Sequence, residues 1–563
     1  MNWKAHYRQG LLLLALAVSM TGCRLFGASA DAPAQPAQQT APPGALPASA
    51  TPAVIPAQPS PAAGTPQAAA DQPGAPPPIP TSLSDDRLPA PPAGDPGAAL
   101  LPAERSAADL PVTARYRIHL QVDPSGERFS GRQIVQVTNR QPAALDALYF
   151  RLLPNGGKSY GSGSLEVSEV RLGETRLQPA LSQGDSVLEV PLPEPLAPGA
   201  ALELDFSFTG QAAVEFGGDH DNGGYGIYNL SDGVLSLANA YPILAVYDAG
   251  GWNLDPVSNI GDSVYSETAY YSVLACVPEG WRVAATGATL EGPYSVTGGL
   301  DCSRFESGPM RDFYLIAGRE FDVLEEQVDG VNVRSYYLPG DEAAAAQTLE
   351  TAAASLQVFN QRFGPYPFTE LELVEAPMRY ALGVEYPGVV LIAQDLYQET
   401  GAPEFPMTVA HEVAHQWWYS VVGNDVFDAP WLDEGLATYS SALYFEDAVN
   451  PQTARGYLDF WRSRVDSVKG TENDKPVAES LSFFEGLDNS SAYSRIVYLK
   501  GAIFFDSLRK EIGDEAFFQA LQQYYAARRF EVATAQDLLG AFETAAGRSL
   551  EDFYRPWLYE PAP

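Results

Sequence analysis

The sequence predicts a multidomain protein, with an N-terminal antiparallel β domain of the sandwich or saddle kind ahead of an α+β domain, and three observations predict it. From Arg24 to about Leu110 the composition narrows to Ala, Pro, Gln, Gly and Ser with almost no aromatic residues. Such a stretch cannot bury enough apolar surface to offset its ordering entropy. From residue 111 to about 319, apolar and polar residues alternate with period two between Gly and Pro breaks, as half-buried strands do. From about 320 to 563 a few strand-like runs give way to apolar residues three and four apart, the period of amphipathic helices.

At the start of the chain, Lys4 and Arg8 precede an apolar run, Leu11 to Met20. About ten residues cannot cross a hydrocarbon layer of ~30 Å, so the run reads as a signal-peptide core. Met20-Thr21-Gly22-Cys23 resembles a bacterial lipoprotein cleavage box, with Met where Leu is usual. Residues 1–23 are therefore expected to be a signal ending at the lipidated Cys23. Residues 24–110 would then be a disordered tether, able to hold the folded part on the order of 100 Å from a membrane at ~3.1 Å per residue. The expected location is extracytoplasmic, anchored to a bacterial membrane.

The β domain opens with ARYRIHLQV and RFSGRQIVQVT on either side of Asp-Pro-Ser-Gly, a hairpin pattern. LEVSEVRL, VLEVPL, ALELDFSFTG, YYSVLACVP and RDFYLIAG continue the alternation. Asp219, His220 and Asp221 form a cluster that could hold a metal, but Gly, Asn and Asp around them are also what exposed turns use. With Cys23 assigned to lipid, Cys276 and Cys302 remain as a disulfide or as two separate buried thiols. Beyond residue 320 the runs VRSYYLP, LELVEAP and GVVLIA read as strands, an Ala-rich helix is expected from about Glu342 to Phe363, and Pro406 and Pro430 fit helix starts.

The chemistry concentrates in HEVAHQWW, His411 to Trp418, and WLDEGLATYS, Trp431 to Ser440. Residues four apart share a helix face, so His411 and His415 can hold one metal ion with Glu412 beside it. Glu434, nineteen positions after His415, is the candidate third ligand. Two neutral imidazoles and one carboxylate leave zinc net positive, able to lower the pKa of water toward about 7 and polarise a carbonyl, while Glu412 acts as the base.

These residues resemble the zinc gluzincins of the aminopeptidase N family, which also contains the leukotriene hydrolase. FGPYPFTELELVEAPMRYALGVEYPGVVLI, from Phe363, resembles the lead-in to the family's exopeptidase motif, and AYSRIVYLKGA, Ala492 to Ala502, the segment with its catalytic tyrosine. The resemblance implies a thermolysin-like catalytic domain with the β domain covering one side of the cleft. It also implies one zinc per chain on His411, His415 and Glu434, Tyr498 as the oxyanion donor, and Tyr493 nearby. Glu385 would bind the free amine of a peptide substrate, with Gly383 in the same motif; Tyr386 follows Glu385 where the family usually has Asn. Larger members continue with a helical C-terminal domain, so the site here is expected to be more open.

With 70 acidic and 34 basic residues the formal charge is −36, which argues against nucleic acid as a partner. The expected function is a zinc aminopeptidase acting on peptides outside the cell membrane. A lipid-anchored zinc endopeptidase of the same fold is the alternative, and a non-catalytic surface lipoprotein, which has no need of Glu412 or Tyr498, is the remaining reading.

Overall fold

The structure, a computed structural model, describes residues 88–91, 93–214, 224–487 and 491–560. Cys23, the expected signal and most of the expected tether lie outside the described residues, as do Asp219, His220 and Asp221. No helix among the described residues is long and apolar enough to cross a membrane.

The Asp-Pro-Ser-Gly turn joins β1 (Ala114–Val122) and β2 (Arg128–Thr138) as the antiparallel hairpin that their alternation predicts. Asp123 Oδ1 closes the turn by accepting from the Ser125 and Gly126 N–H groups. The hairpin lies inside an eight-stranded sheet with β3 (Ser164–Leu172), β4 (Ala201–Gln211), β5 (Ala269–Pro278), β6 (Ala288–Val296) and β7 (Leu300–Glu306). Its order is β6-β7-β5-β1-β2-β4-β3, with the short strand Thr175–Arg176 at the edge. Every pairing in it is antiparallel except β1 with β5, which run parallel from Ala114 opposite Ala269. Hairpin neighbours must reverse direction, whereas β5 reaches β1 through a long excursion that imposes no reversal. Cys276 on β5 and Cys302 on β7 face each other with Cα atoms 4.0 Å apart and form a disulfide, which resolves the open cysteine question.

The second half begins with the hairpin β8 (Asp322–Val328) and β9 (Val331–Tyr337), followed by helix α1 (Glu342–Arg362). Strands β10 (Glu370–Ala376), β11 (Gly383–Tyr386) and β12 (Val389–Ala393) complete a five-stranded sheet of order β8-β9-β10-β12-β11. Only β9–β10 and β10–β12 are parallel, so β11 sits at the edge, antiparallel to β12. Helix α2 (Glu404–Ala414) packs against it, α3 (Trp431–Tyr444) packs on α2, and α4 (Gly501–Ile512) packs on α3. Pro406 lies in the first turn of α2 and Pro430 immediately before α3, positions where a missing N–H costs nothing. Trp417, Trp418 and Trp431 are fully buried and fasten the two metal-motif helices into one core.

The expected tether ends too late in the sequence. Residues 96–109 form two short 3-10 helices, Pro96–Ala99 and Pro102–Asp109, that dock on the folded body. Thr369 N–H donates to Ala99 O at 3.0 Å, Leu101 N–H to Pro367 O at 2.9 Å, and Glu104 pairs with Arg529 at 2.6 Å. The reason is local: Leu100 and Ala107 reach the core, and Leu101 and Leu110 pack against it, supplying apolar anchors that the preceding Pro- and Ala-rich stretch lacks.

Candidate active site

His411 lies in the last turn of α2 and His415 caps it, still in helical conformation, so the four-residue spacing brings both imidazoles to one side. Their Nε2 atoms are 3.1 Å apart. Glu434, in the first turn of α3, places Oε2 3.3 Å from His411 Nε2 and 3.4 Å from His415 Nε2. A tetrahedral ion with bonds of about 2.0–2.1 Å has its ligand atoms about 3.3–3.4 Å apart, so these three atoms form one face of such a tetrahedron. Glu434 Oε2 is buried and makes no regular hydrogen bond, leaving it free to ligate. The donor set of two imidazoles and a carboxylate fits zinc. Each ring is also oriented from behind: His415 Nδ1 lies 3.0 Å from Trp418 O, and His411 Nδ1 lies 3.4 Å from Thr438 Oγ1. The carbonyl can only accept, which puts the proton on His415 Nδ1 and keeps Nε2 available for a metal.

Around this face acidic groups crowd together away from water. Burial pushes Glu434 up, but its contacts with His411 and His415 outweigh that and hold it at about 2. Burial pushes Glu412 and Glu385 up to about 8 in each case, with His415 pulling the other way. Burial also depresses His411; at His415 it is outweighed by Glu385, Glu434 and Glu412, which hold that imidazole well above its ordinary value. Such a cluster favours a cation at its centre.

Glu412 has a ligand-capable atom within 4.8 Å of those of both histidines. Gly383, on β11, explains how it lies there: a Cβ at that position would fall 2.3 Å from Glu412 Oε1. Glu385, two residues further along the same edge strand, is buried and has Oε1 4.0 Å from His415 Nε2. Its partner comes from the β domain. Asp262 hydrogen-bonds Glu385, and burial followed by the charges of Glu385 and Glu434 raises its carboxyl well above the usual range. The loop carrying Asp262 is pinned to the second half of the chain, because Asn259 donates its main-chain N–H and its Nδ2 to Glu485 Oε1 at 2.6 and 2.9 Å. Tyr386 leaves this group altogether, its ring stacked on Tyr314 of the β domain with centroids 4.0 Å apart.

Tyr498 O–H donates to Glu434 Oε1, and its ring stacks on His411 with centroids 5.8 Å apart. Two features bring it there. Gly435 on α3 and Gly501 at the start of α4 pack backbone to backbone, so that a Cβ on Gly501 would sit 3.0 Å from Gly435 Cα. In addition, Ser494–Lys500 is π-helical. In an α-helix Tyr493 and Tyr498 would point about 140° apart. The wider turn brings them together, with ring centroids 5.6 Å apart. Tyr493 itself is buried between Phe484 and the Asp262 loop, where a Cβ on Gly261 would meet its hydroxyl at 2.5 Å. It braces Tyr498 and that loop.

Residues 347–557 match the description "Peptidase family M1 domain". Over these residues the chain is similar to peptidase family M1. Aminopeptidase N of Streptomyces lividans is 26% identical over 359 residues, 60% of this chain and 40% of that protein. Aminopeptidase M1-B of Oryza sativa subsp. japonica is 29% identical over 278 residues, 47% of this chain and 31% of that protein. The chain thus spans well under half the length of these curated relatives. The M1 zinc metallopeptidase of Deinococcus radiodurans shares the fold with a TM-score of 0.59 at 22% identity, covering 80% of this chain and 96% of that one. A structure of its mutant with a Tyr-Ser-Ala substrate matches at a TM-score of 0.60.

Within this matched segment the structure brings together His411, His415, Glu434, Glu412, Glu385, Gly383 and Tyr498, with Tyr493 behind the last. Asp262, Thr438 and the Trp418 carbonyl complete the arrangement without any sequence signal. Asp262 stands in an unremarkable loop of the other domain, Thr438 is one of many helical hydroxyls, and a carbonyl has no letter in the sequence.

Proposed function

We propose that this chain is a zinc-dependent aminopeptidase that removes N-terminal residues from peptides. The observation that carries the reading is the buried Glu385 carboxyl, set 4.0 Å from the His415 Nε2 that faces Glu434, with the half-buried Asp262 beside it. Its relatives' names, aminopeptidase N and aminopeptidase M1-B, support it. When bound, zinc would supply the Lewis acidity that polarises the scissile carbonyl and lets water lose a proton near neutral pH. The chain's own residues do the rest. Glu385 and Asp262 pair with the substrate's ammonium, which fixes the first peptide bond in register. Glu412 accepts the proton of the attacking water and returns it to the amine nitrogen as the C–O bond forms and the C–N bond breaks. Tyr498 hydrogen-bonds the carbonyl oxygen as it gains charge.

The test is the hydrolysis of one peptide with a free and with an N-acetylated amine. Acetylation removes the cation and adds bulk where the ammonium must fit, so kcat/KM is expected to fall by at least 10²-fold. Equal values for the two peptides would leave a zinc endopeptidase.

The same proposal places the enzyme outside the cytoplasm, held to a bacterial membrane by lipid on Cys23. The support is the basic, apolar and small-residue order of residues 4–23. Cys23→Ser is expected to shift the protein to a soluble fraction or to stop its processing. A Cys23→Ser protein still bound to membranes would point to the apolar run as an uncleaved anchor.

A further inference from the structure

Arg311 follows β7 at the seam between the β domain and the second half of the chain and is buried. Its guanidinium reaches four main-chain carbonyls: Nε donates to Tyr419 O at 2.6 Å, Nη1 to Ser266 O at 3.1 Å, and Nη2 to Glu531 O at 2.6 Å and Val421 O at 3.5 Å. Space for it is provided by Gly423, where a Cβ would fall 2.0 Å from the guanidinium carbon. The next residue, Asp312, accepts from the Tyr419 hydroxyl at 3.1 Å. Tyr419 is therefore gripped at both ends by two consecutive residues of the other domain.

The gripped residue is strained. Tyr419 has φ of +130°, a conformation that a residue with a side chain adopts only when its surroundings compel it. It directly follows Trp418, whose carbonyl lies 3.0 Å from His415 Nδ1, and Ser420 N–H closes back onto His415 O at 2.9 Å. The turn that aims His415 Nε2 at Glu434 and His411 is thus held open from the β domain. Loss of a group that orients a metal-binding imidazole typically costs 10–100-fold in metal affinity.

We propose that Arg311 and Asp312 are positioning residues for the metal centre: by holding Tyr419 in its strained conformation they fix the Trp418 carbonyl that orients His415. The inference rests on the reading that His411, His415 and Glu434 hold zinc. It makes zinc retention depend on a contact between domains, through residues that touch neither metal nor substrate.

The experiment measures the rate of zinc loss from the zinc-loaded full chain to a chromophoric chelator, well below the unfolding temperature. Arg311→Lys keeps the charge but not the planar fork of donors, and Tyr419→Phe and Asp312→Asn loosen only the hydroxyl grip. Zinc loss is expected to be about 10-fold faster in Arg311→Lys and several-fold faster in the other two. KM at saturating zinc should be little changed. Arg334→Lys, which disturbs a partly buried pairing with Glu370 and Glu372 on the sheet that carries Glu385, serves as a stability control and should lose zinc at the wild-type rate. Should Arg311→Lys fail to fold, Tyr419→Phe and Asp312→Asn decide the question by themselves. Wild-type zinc-loss rates in the folded variants would overturn the inference while leaving the zinc reading intact, and so would equal acceleration in Arg334→Lys. A wild-type chain that binds no zinc would remove the zinc reading itself.

Discussion

Glu412→Gln is expected to keep one zinc per chain and to lower kcat by about 10³-fold or more. The substitution preserves the size of the side chain, and Gly383 leaves the same room above it, where any Cβ would come within 2.3 Å of the carboxylate oxygen. His411, His415 and Glu434 are untouched, so the metal face with its 3.1–3.4 Å edges remains. What is lost is the only step asked of Glu412, taking a proton from water and delivering it to the leaving amine. Elemental analysis for zinc and single-turnover hydrolysis on the same preparation check both halves. A variant that keeps zinc and more than a tenth of the wild-type kcat would rule out Glu412 as the base.

Tyr498→Phe is expected to lower kcat by about 10²-fold with little change in KM. Its hydroxyl is held at the metal face by Glu434 Oε1, while its ring is fixed by stacking on His411 and by edge contact with Tyr493. Phenylalanine keeps both ring contacts, so the change isolates the hydroxyl. A hydrogen bond that matters only when the carbonyl oxygen carries charge affects the transition state and hardly affects substrate binding. Steady-state kinetics on an unblocked peptide separate the two terms. An unchanged kcat would take the role from Tyr498, and Tyr493, buried behind it, would be the residue to substitute next.

The clustering of His411, His415 and Glu434 was legible because its information is local. Helical periodicity places His411 over His415, and Pro430 starts the helix that carries Glu434. Tyr498 could be named only through family resemblance, since a π-helical turn and the contact between Gly435 and Gly501 decide where its hydroxyl points, and neither shows in residue spacing. The strands of the β domain followed from alternation, yet the parallel seam between β1 and β5 did not, because period two is blind to strand direction. The docked segment ahead of residue 110 was hidden by averaging composition over a window in which many prolines and alanines outnumber a few anchoring leucines. Asp262 and Arg311 were the hardest to see: each acts across the seam between domains, on residues far away in the sequence.

The most direct test of the zinc peptidase reading is to measure zinc content and peptide turnover together, in the wild type and in His415→Ala. The expected result is about one zinc per wild-type chain, activity that disappears on chelation and returns in proportion to the zinc restored, and neither zinc nor activity in folded His415→Ala. Undiminished turnover by zinc-free wild type, or full zinc retention by His415→Ala, would contradict it.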